Sequence, residues 1–154
     1  MKIIVYLVIH FSVTATQVTA QNKAAFPKGE IATVNNHTGT VWLNELSAPD
    51  SILNYSVALA TFAAGAKLDW HIHPAGQTLI ITEGIGYYQE KGKAIQVVRM
   101  GDVIKCLPGI AHWHGASPGS GFAYIGITPA QKGKTIWLQR VTDEEYRAVK
   151  PDGK

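Results

Sequence analysis

Two pairs of histidines carry the strongest chemical signal in this chain of 154 residues. His71 and His73 form the first pair, His112 and His114 form the second, and together they account for four of the six histidines. Side chains on a β-strand alternate between faces, so both rings of a pair project to the same side, roughly 7 Å apart. Neutral imidazole is the commonest metal ligand in proteins. Two strands that bring such pairs together would form a metal site.

The candidate metal ligands are His71, His73, Gln77 and His112. Gln77 follows the turn Pro74-Ala75-Gly76 and can direct a neutral carbonyl oxygen toward the nitrogens of the first pair. Three nitrogens and one oxygen leave coordination positions for water or substrate. Open positions of this kind are typical of a catalytic site and not of a closed structural site.

The candidate catalytic residues are His114 and Tyr124. His114 projects to the same side as His112, one pleat along, and is predicted to act as a general acid or base, which contributes roughly 10²–10⁴-fold to a rate. The alternative is a histidine that lines the interior and is fixed by a hydrogen bond. Tyr124 alternates with Phe122 and either reaches the pocket as a hydrogen-bond donor or packs in the core.

Several further residues are assigned weaker roles. Asp69 is in phase with His71 and either orients a ligand ring or ends a solvated strand. Trp113 faces away from its histidine neighbours and is predicted to pack. His37 lies in an Asn-rich loop and is either exposed or in contact with the pocket rim. The apolar walls of the pocket are expected to include Leu79, Ile81 and Ile127.

Short β-rich runs separated by turn signals position these residues. Lys91-Gly92 is predicted to be a hairpin turn, and Pro108-Gly109 is a second strong turn signal. Thr142 and Glu145 form a capping-box pattern at the start of a short C-terminal helix. The predicted strands cover residues 40–44, 55–62, 68–73, 77–82, 86–90, 94–99, 102–107, 111–116, 122–128 and 136–141.

This spacing predicts an all-β sandwich or barrel that closes or covers its edges. The composition, 46% hydrophobic and 16% charged, suits a single globular domain. The net charge of +3 is spread along the chain and is not clustered as a nucleic-acid interface requires, so no nucleic-acid partner is expected. The lone cysteine, Cys106, has no partner for an internal disulfide and is predicted to be a small buried hydrophobe.

The N-terminus resembles a secretory signal peptide. Lys2 gives a minimal positive region, an apolar run follows, and Val18-Thr19-Ala20 matches the small-residue pattern of a cleavage site. The predicted organisation is a signal peptide over 1–20, an N-terminal arm over 21–35 and one domain over 36–150. Export, with a periplasmic location and no membrane association after signal removal, is therefore expected. The alternatives are an uncleaved anchor and a cytosolic protein with an unusual first strand.

The two histidine motifs resemble those of the cupin superfamily. Gly65-x5-His71-x-His73-x3-Gln77-x6-Gly84 is similar to the first cupin motif, with Gln77 where Glu usually stands. The stretch from Gly101-Asp102 to Pro108-Gly109-x2-His112 is similar to the second. The resemblance implies a cupin fold, a double-stranded β-helix or jelly-roll barrel, here with a short C-terminal helix.

A closer resemblance is to small single-domain cupins typified by bacterial hydroxynitrile lyases of the (R)-mandelonitrile lyase type, which bind manganese. It extends over His71-Ile72-His73-Pro74-Ala75-Gly76-Gln77-Thr78 and Pro108-Gly109-x2-His112-Trp113-His114-Gly115-Ala116. It also includes Thr38-Gly39-Thr40-Val41 and Val141-Thr142-Asp143-Glu144-Glu145-Tyr146. One position departs from the group, because Tyr124 stands where those lyases carry another histidine.

This resemblance implies a lyase that cleaves or forms cyanohydrins, a small-molecule substrate, and manganese as the metal, with iron, zinc or nickel as alternatives. Cupins also commonly pair through edge strands, so a homodimer or higher homo-oligomer is expected. Two other functions stay open at this point. One is an Fe(II)-dependent cupin oxygenase, and the other is a non-enzymatic periplasmic binder of a small ligand or metal.

Overall fold

The structure is a computed structural model that describes residues 25–149, so the predicted signal peptide and the first residues of the arm lie outside the described residues. Within that range the chain forms twelve strands and one short helix. They are β1 (Glu30–Ile31), β2 (His37–Thr38), β3 (Val41–Ser47), β4 (Tyr55–Phe62), β5 (Lys67–Leu68), β6 (His71–Ile72), β7 (Gln77–Glu90), β8 (Gln96–Arg99), β9 (Val103–Cys106), β10 (His112–Ala116), β11 (Phe122–Pro129), β12 (Ile136–Trp137) and α1 (Asp143–Arg147).

The strands form one curled sheet whose two halves are joined by the long strand β7. One half has the order β1-β3-β4-β11-β7, with β9 also paired to β7. In the other half β10 lies between β5 and β7, and β2 pairs with β5. Strand β6 pairs with β10, and β12 pairs with β6. A register shift lies between Ala123 and Tyr124 on β11, opposite β7. It marks the point where β7 passes from one half of the sheet to the other. The all-β architecture with one short C-terminal helix is confirmed.

Two apolar clusters stabilise the fold. The larger one draws side chains from strands of both halves, including Phe62, Leu79, Ile81 and Phe122, each 2% exposed or less. The smaller one lies on the outer face of the second half, beneath α1, and consists of Trp70, Trp113, Val141 and Tyr146. On β10, Trp113 therefore points outward into this cluster while the histidines on either side of it point inward, so its packing role is confirmed.

Four predicted strands differ from the observed ones. The run 68–73 is not continuous, because Asp69 N donates to Asn36 O and Trp70 N donates to Gln139 O, which separates β5 from β6. Runs 77–82 and 86–90 are one strand, β7. The last strand ends at Trp137 and does not reach Val141. Each difference follows from hydrogen bonds to segments distant in sequence, which local patterns do not report.

The short helix α1 begins as predicted. Thr142 Oγ1 accepts from Glu145 N at 3.1 Å, and Glu145 Oε2 accepts from Thr142 N at 3.0 Å, which completes the capping box. Glu145 Oε2 also accepts from Trp70 Nε1 at 3.2 Å. Tyr146 donates its hydroxyl to Ala116 O at 2.7 Å. The helix is thereby attached to the residues beside the histidine pairs. No helix of the described part of the chain is long and apolar enough to cross a membrane.

Replacing Tyr146 by Phe should destabilise the protein by about 1–3 kcal/mol, because the buried Ala116 carbonyl loses its donor. Urea unfolding followed by circular dichroism measures the change. The matched control is Tyr87→Phe, since the Tyr87 hydroxyl has no hydrogen bond within residues 25–149, and it should cost less than about 0.5 kcal/mol. Equal costs for the two variants would contradict the proposed attachment.

Candidate metal centre and cavity

Three histidines from two strands and the adjoining loop form a group that can hold a metal ion. His71 on β6, His73 just beyond β6 and His112 on β10 each offer one ring nitrogen, and these nitrogens lie within 4.8 Å of one another. Register brings them together, because His112 on β10 is paired directly with His71 on β6. All three are buried, with 6% exposure or less.

Backbone carbonyls orient two of the three rings. Asp69 O lies 2.8 Å from His71 Nδ1, and Ile110 O lies 2.9 Å from His112 Nδ1. A carbonyl only accepts, so each Nδ1 carries the proton and leaves the Nε2 lone pair free. His112 Nε2 is buried and has no hydrogen-bond partner in the described structure. Such an arrangement fixes the tautomer and the ring orientation that metal ligation requires.

Threonines from two other segments contact His73 and Gln77. Thr135 Oγ1 lies 3.2 Å from His73 Nδ1. Gln77, at the start of β7, donates from Nε2 to Thr128 Oγ1 on β11 at 2.8 Å. This bond fixes which end of the carboxamide faces β11 and leaves Gln77 Oε1 buried without a partner of hydrogen-bonding geometry among residues 25–149.

His114 lies against the three-histidine group. Its ring centroid is 5.0 Å from that of His71 and 4.9 Å from that of Tyr124. The side chain is 1% exposed, and both Nδ1 and Nε2 are buried without a hydrogen-bond partner in the described range. Because an unpaired buried polar group is costly, this imidazole is suited to a bound molecule. The structure therefore places an unpartnered base beside a metal-binding group.

The histidine cluster is held in its neutral form. Burial lowers the pKa of His71 and His114 well below 6.5, and nearby imidazoles lower it further. Burial and the neighbouring His112 lower the pKa of His73 to about 4, and burial lowers that of His112. Burial also raises the pKa of Tyr124, so its phenol keeps its proton. Neutral imidazoles are the form that binds a cation.

A cavity of about 230 Å³ opens onto this cluster. His71, His73, Gln77, His114 and Tyr124 all line it, so the predicted ligands of the first motif and both predicted catalytic residues share one space. Its apolar wall is formed by Val41, Leu43, Ala58, Ala60, Phe62 and Leu68.

The apolar wall differs from the predicted one. Leu79 and Ile81 are not among the residues that line the cavity, and both belong to the larger apolar cluster. Ile127, the third predicted residue, does not line the cavity either. The predicted facing of Leu79 and Ile81 was wrong because it depends on how β7 pairs with β9 and β11, which the local sequence does not show.

The weaker assignments are resolved as follows. Asp69 supports His71 through its backbone carbonyl, while its buried carboxylate faces Arg140, with Oδ1 3.4 Å from Nε. His37 is half-buried and lines the cavity. Cys106 is 3% exposed, as expected, and burial raises the pKa of its thiol to about 12.

The sequence patterns missed the residues that orient the site. Thr128 and Thr135 lie far along the chain from the side chains that they contact, and no motif marks them. Trp137, whose ring centroid is 4.9 Å from that of His71, is 40% exposed and lines the cavity. The only sequence signal for Trp137 was that an aromatic residue stood in a predicted strand.

The residues present fit a divalent cation. Three imidazole nitrogens converge, and two buried acceptor atoms, His112 Nε2 and Gln77 Oε1, have no partner of hydrogen-bonding geometry among the described residues. This donor set, nitrogen with one neutral oxygen, suits several first-row metals and does not choose among them.

Comparison with known proteins places these features in context. A family model described as Cupin matches residues 23–149. The (R)-mandelonitrile lyase of Granulicella tundricola is 45% identical over 112 residues, which cover 71% of this chain and 85% of that protein. A solved cupin-like protein of Thermotoga maritima aligns with a TM-score of 0.80 at 39% identity, over 86% of this chain and 100% of that one. The polyketide cyclase RemF of Streptomyces resistomycificus aligns with a TM-score of 0.61 at 15% identity, over 77% and 84% of the two chains, and shares the fold alone.

Replacing Thr128 by Val should weaken metal binding by roughly 10–100-fold, because the Gln77 carboxamide loses the partner that orients it. Competition titration with a chelating dye measures the affinity. Thr61→Val makes the same chemical change at a residue that does not line the cavity, and it should leave the affinity unchanged. A Thr128→Val protein with wild-type affinity would show that Gln77 orientation does not matter.

The metal-free protein should lose stability as the pH falls from about 6.5 toward 4. The buried histidines have lower pKa values when folded than when unfolded, so in this range protons bind the unfolded chain preferentially. Their contribution is therefore fully present above pH 6.5 and declines below it. Thermal unfolding across this pH range measures how steeply stability depends on pH, and His73→Gln should make this dependence shallower. An identical slope in that variant would contradict the assignment.

Proposed function

The chain belongs to the cupin family, and from that premise we propose that it is a divalent-metal-dependent lyase that cleaves or forms cyanohydrins. Two lines of support converge on this proposal. One is the 45% identity to a protein named (R)-mandelonitrile lyase. The other, which carries the proposal, is the unpartnered His114 imidazole beside the three-histidine group in the cavity.

The proposed metal ligands are His71, His73, Gln77 and His112. A bound divalent cation supplies Lewis acidity toward a hydroxyl or carbonyl oxygen. The three imidazoles hold it through neutral nitrogens, and Gln77 contributes a neutral Oε1. Since no ligand carries a negative charge, the centre would keep more positive charge than one with a Glu in that place, which favours an alkoxide-like oxygen. Manganese is the proposed metal, by resemblance.

His114 is the proposed general base and acid. It takes the hydroxyl proton of the cyanohydrin on one of its two unpartnered ring nitrogens, and the C–C bond breaks with its electron pair leaving on the cyanide carbon. The same proton then passes to cyanide, so that hydrogen cyanide and an aldehyde are released. Burial lowers the pKa of His114, so the imidazole is neutral and its unprotonated ring nitrogen has a free lone pair for this proton. The reverse sequence forms the cyanohydrin.

Tyr124 is proposed to assist as a hydrogen-bond donor. Its ring meets that of His114 edge-on at 4.9 Å between centroids, and its phenol stays protonated. A donor at this place would stabilise a developing negative charge in the cavity. Because related lyases carry a histidine here, this role distinguishes the chain from them.

We also propose that the protein is exported and forms a homo-oligomer. The N-terminal pattern supports export, to the periplasm, which cell fractionation can test. The edge strand β1 supports self-association, because an edge leaves backbone groups unpaired and Ile31 on this strand is 60% exposed. Light scattering of the purified protein measures the assembly.

Metal-free protein reloaded separately with Mn²⁺, Fe²⁺ or Zn²⁺ should release cyanide from mandelonitrile with at least one metal. His114→Ala should lower kcat by roughly 10²–10⁴-fold while metal content stays at the wild-type level. Oxygen consumption with Fe²⁺ and no cyanide release would indicate a cupin oxygenase instead. Metal-loaded protein inactive on a panel of cyanohydrins, with a tightly retained small molecule, would indicate a binding protein.

A further inference from the structure

His37 is the histidine of the cavity that the proposed chemistry does not use. It lies on β2, lines the cavity and is half-buried. It does not belong to the three-histidine group, and it lies on the opposite side of β5 from His114 on β10. The cavity therefore has an imidazole at the metal end and a separate one on the β2 side.

The backbone around His37 is firmly held. Asn36 O accepts from Asp69 N at 2.9 Å, and Arg140 Nη2 donates to Asn35 Oδ1 at 2.8 Å. His37 itself is paired with Leu68 in the register of β2 and β5. These contacts tie the loop to the segment just before the metal ligands. A side chain held in this way is preorganised for binding a ligand.

Strand order sets the distance between the two polar ends. β2 lies two strands from β10 in the order β10-β5-β2, which corresponds to roughly 10 Å between their backbones. The space between is bounded by apolar side chains, among them Leu68 on the intervening strand β5 and Phe62 on β4. The cavity thus suits a molecule with a reacting oxygen at one end, an apolar body, and a second polar group.

The lining favours a neutral polar group at the β2 end. No lysine or arginine lines the cavity within the described residues, so a carboxylate at the β2 end, away from the metal centre, would meet no lysine or arginine side chain. A neutral imidazole both donates and accepts a hydrogen bond. His37 Nδ1 lies 3.3 Å from Asn36 Oδ1, which can fix the tautomer and leave the second ring nitrogen for a ligand. A hydroxyl group matches these properties best.

We propose that His37 is a specificity-determining residue that recognises a hydroxyl group at the far end of the substrate. The preferred substrate is then an apolar, hydroxyl-bearing molecule, such as an aryl cyanohydrin with a hydroxyl on the ring. This assignment of substrate class rests on the proposed lyase function, while the recognition of the hydroxyl by His37 does not.

The experiment compares two probe pairs on metal-loaded protein. Mandelonitrile and 4-hydroxymandelonitrile report turnover through kcat/KM, and benzyl alcohol and 4-hydroxybenzyl alcohol report binding by calorimetry. The wild type should prefer the hydroxylated member of each pair by roughly 3–10-fold, the range of one net hydrogen bond. His37→Phe should abolish this preference, with the loss falling on KM for the hydroxylated probe, and His37→Gln should restore part of it.

Control variants separate His37 from its surroundings. Thr38→Val alters the next residue on β2, which does not line the cavity, and should keep the wild-type preference. Ser56→Ala removes another hydroxyl that lines the cavity; if Ser56→Ala loses the preference and His37→Phe keeps it, the proposal is overturned.

The two readouts also separate this proposal from the proposed function. No cyanide release, together with a binding preference that disappears in His37→Phe, would reject the lyase and uphold the role of His37. Cyanide release with equal preference in wild type and His37→Phe would uphold the lyase and reject the role of His37. Absence of both binding and turnover for the hydroxylated probes would overturn the proposal as well.

Discussion

Burial of four imidazoles in one cluster is the constraint on which this structure depends. His71, His73, His112 and His114 lie with adjacent ring centroids between 4.4 and 5.8 Å apart and almost no exposure to solvent. Charged imidazoles could not be packed this closely away from water, so the cluster exists only in its neutral form. Neutral rings in turn need partners for their nitrogens. Backbone carbonyls satisfy one side of His71 and His112, and a cation would satisfy the other.

Packing on the outer face of the sheet keeps these rings in place. Because residues alternate along β10, the same strand that points His112 and His114 inward points Trp113 outward. Trp113 and Trp70 form an apolar layer covered by Val141 and Tyr146, and Glu145 accepts a hydrogen bond from the Trp70 indole. The C-terminal segment is therefore the outer support of the metal centre. Removing it would loosen strands whose inner faces carry the ligands.

The cavity combines this polar floor with an apolar wall supplied by the other half of the sheet. Ala58 and Ala60 on β4 are small, and so leave space that larger side chains would fill. Gly126 on β11 has a similar effect, since a Cβ there would lie 3.4 Å from Gln77 Nε2 and 3.3 Å from the Tyr124 ring. A metal-binding floor, a base without a hydrogen-bond partner and an apolar wall are the features on which the proposed lyase chemistry would depend. Tyr124 and His37 line the same cavity beside this floor and wall.

Local patterns in the sequence were sufficient for the residue types that perform chemistry and for most of the elements that carry them. The histidine pairs, the Gln77 position, the outward Trp113 and the capping box of Thr142 and Glu145 each depend on spacing within a few residues, where strand and helix periodicity act directly. Tertiary structure alone decided which groups complete the site. The hydroxyl of Thr128 reaches Gln77, and the indole of Trp137 and the wall of β4 reach the histidines, through strand pairing between segments far apart in the chain. Register of that kind is set by the packing of the whole curled sheet, and a shift of one residue reverses every facing. For this reason the sequence determined the kind of site, and the fold determined its geometry.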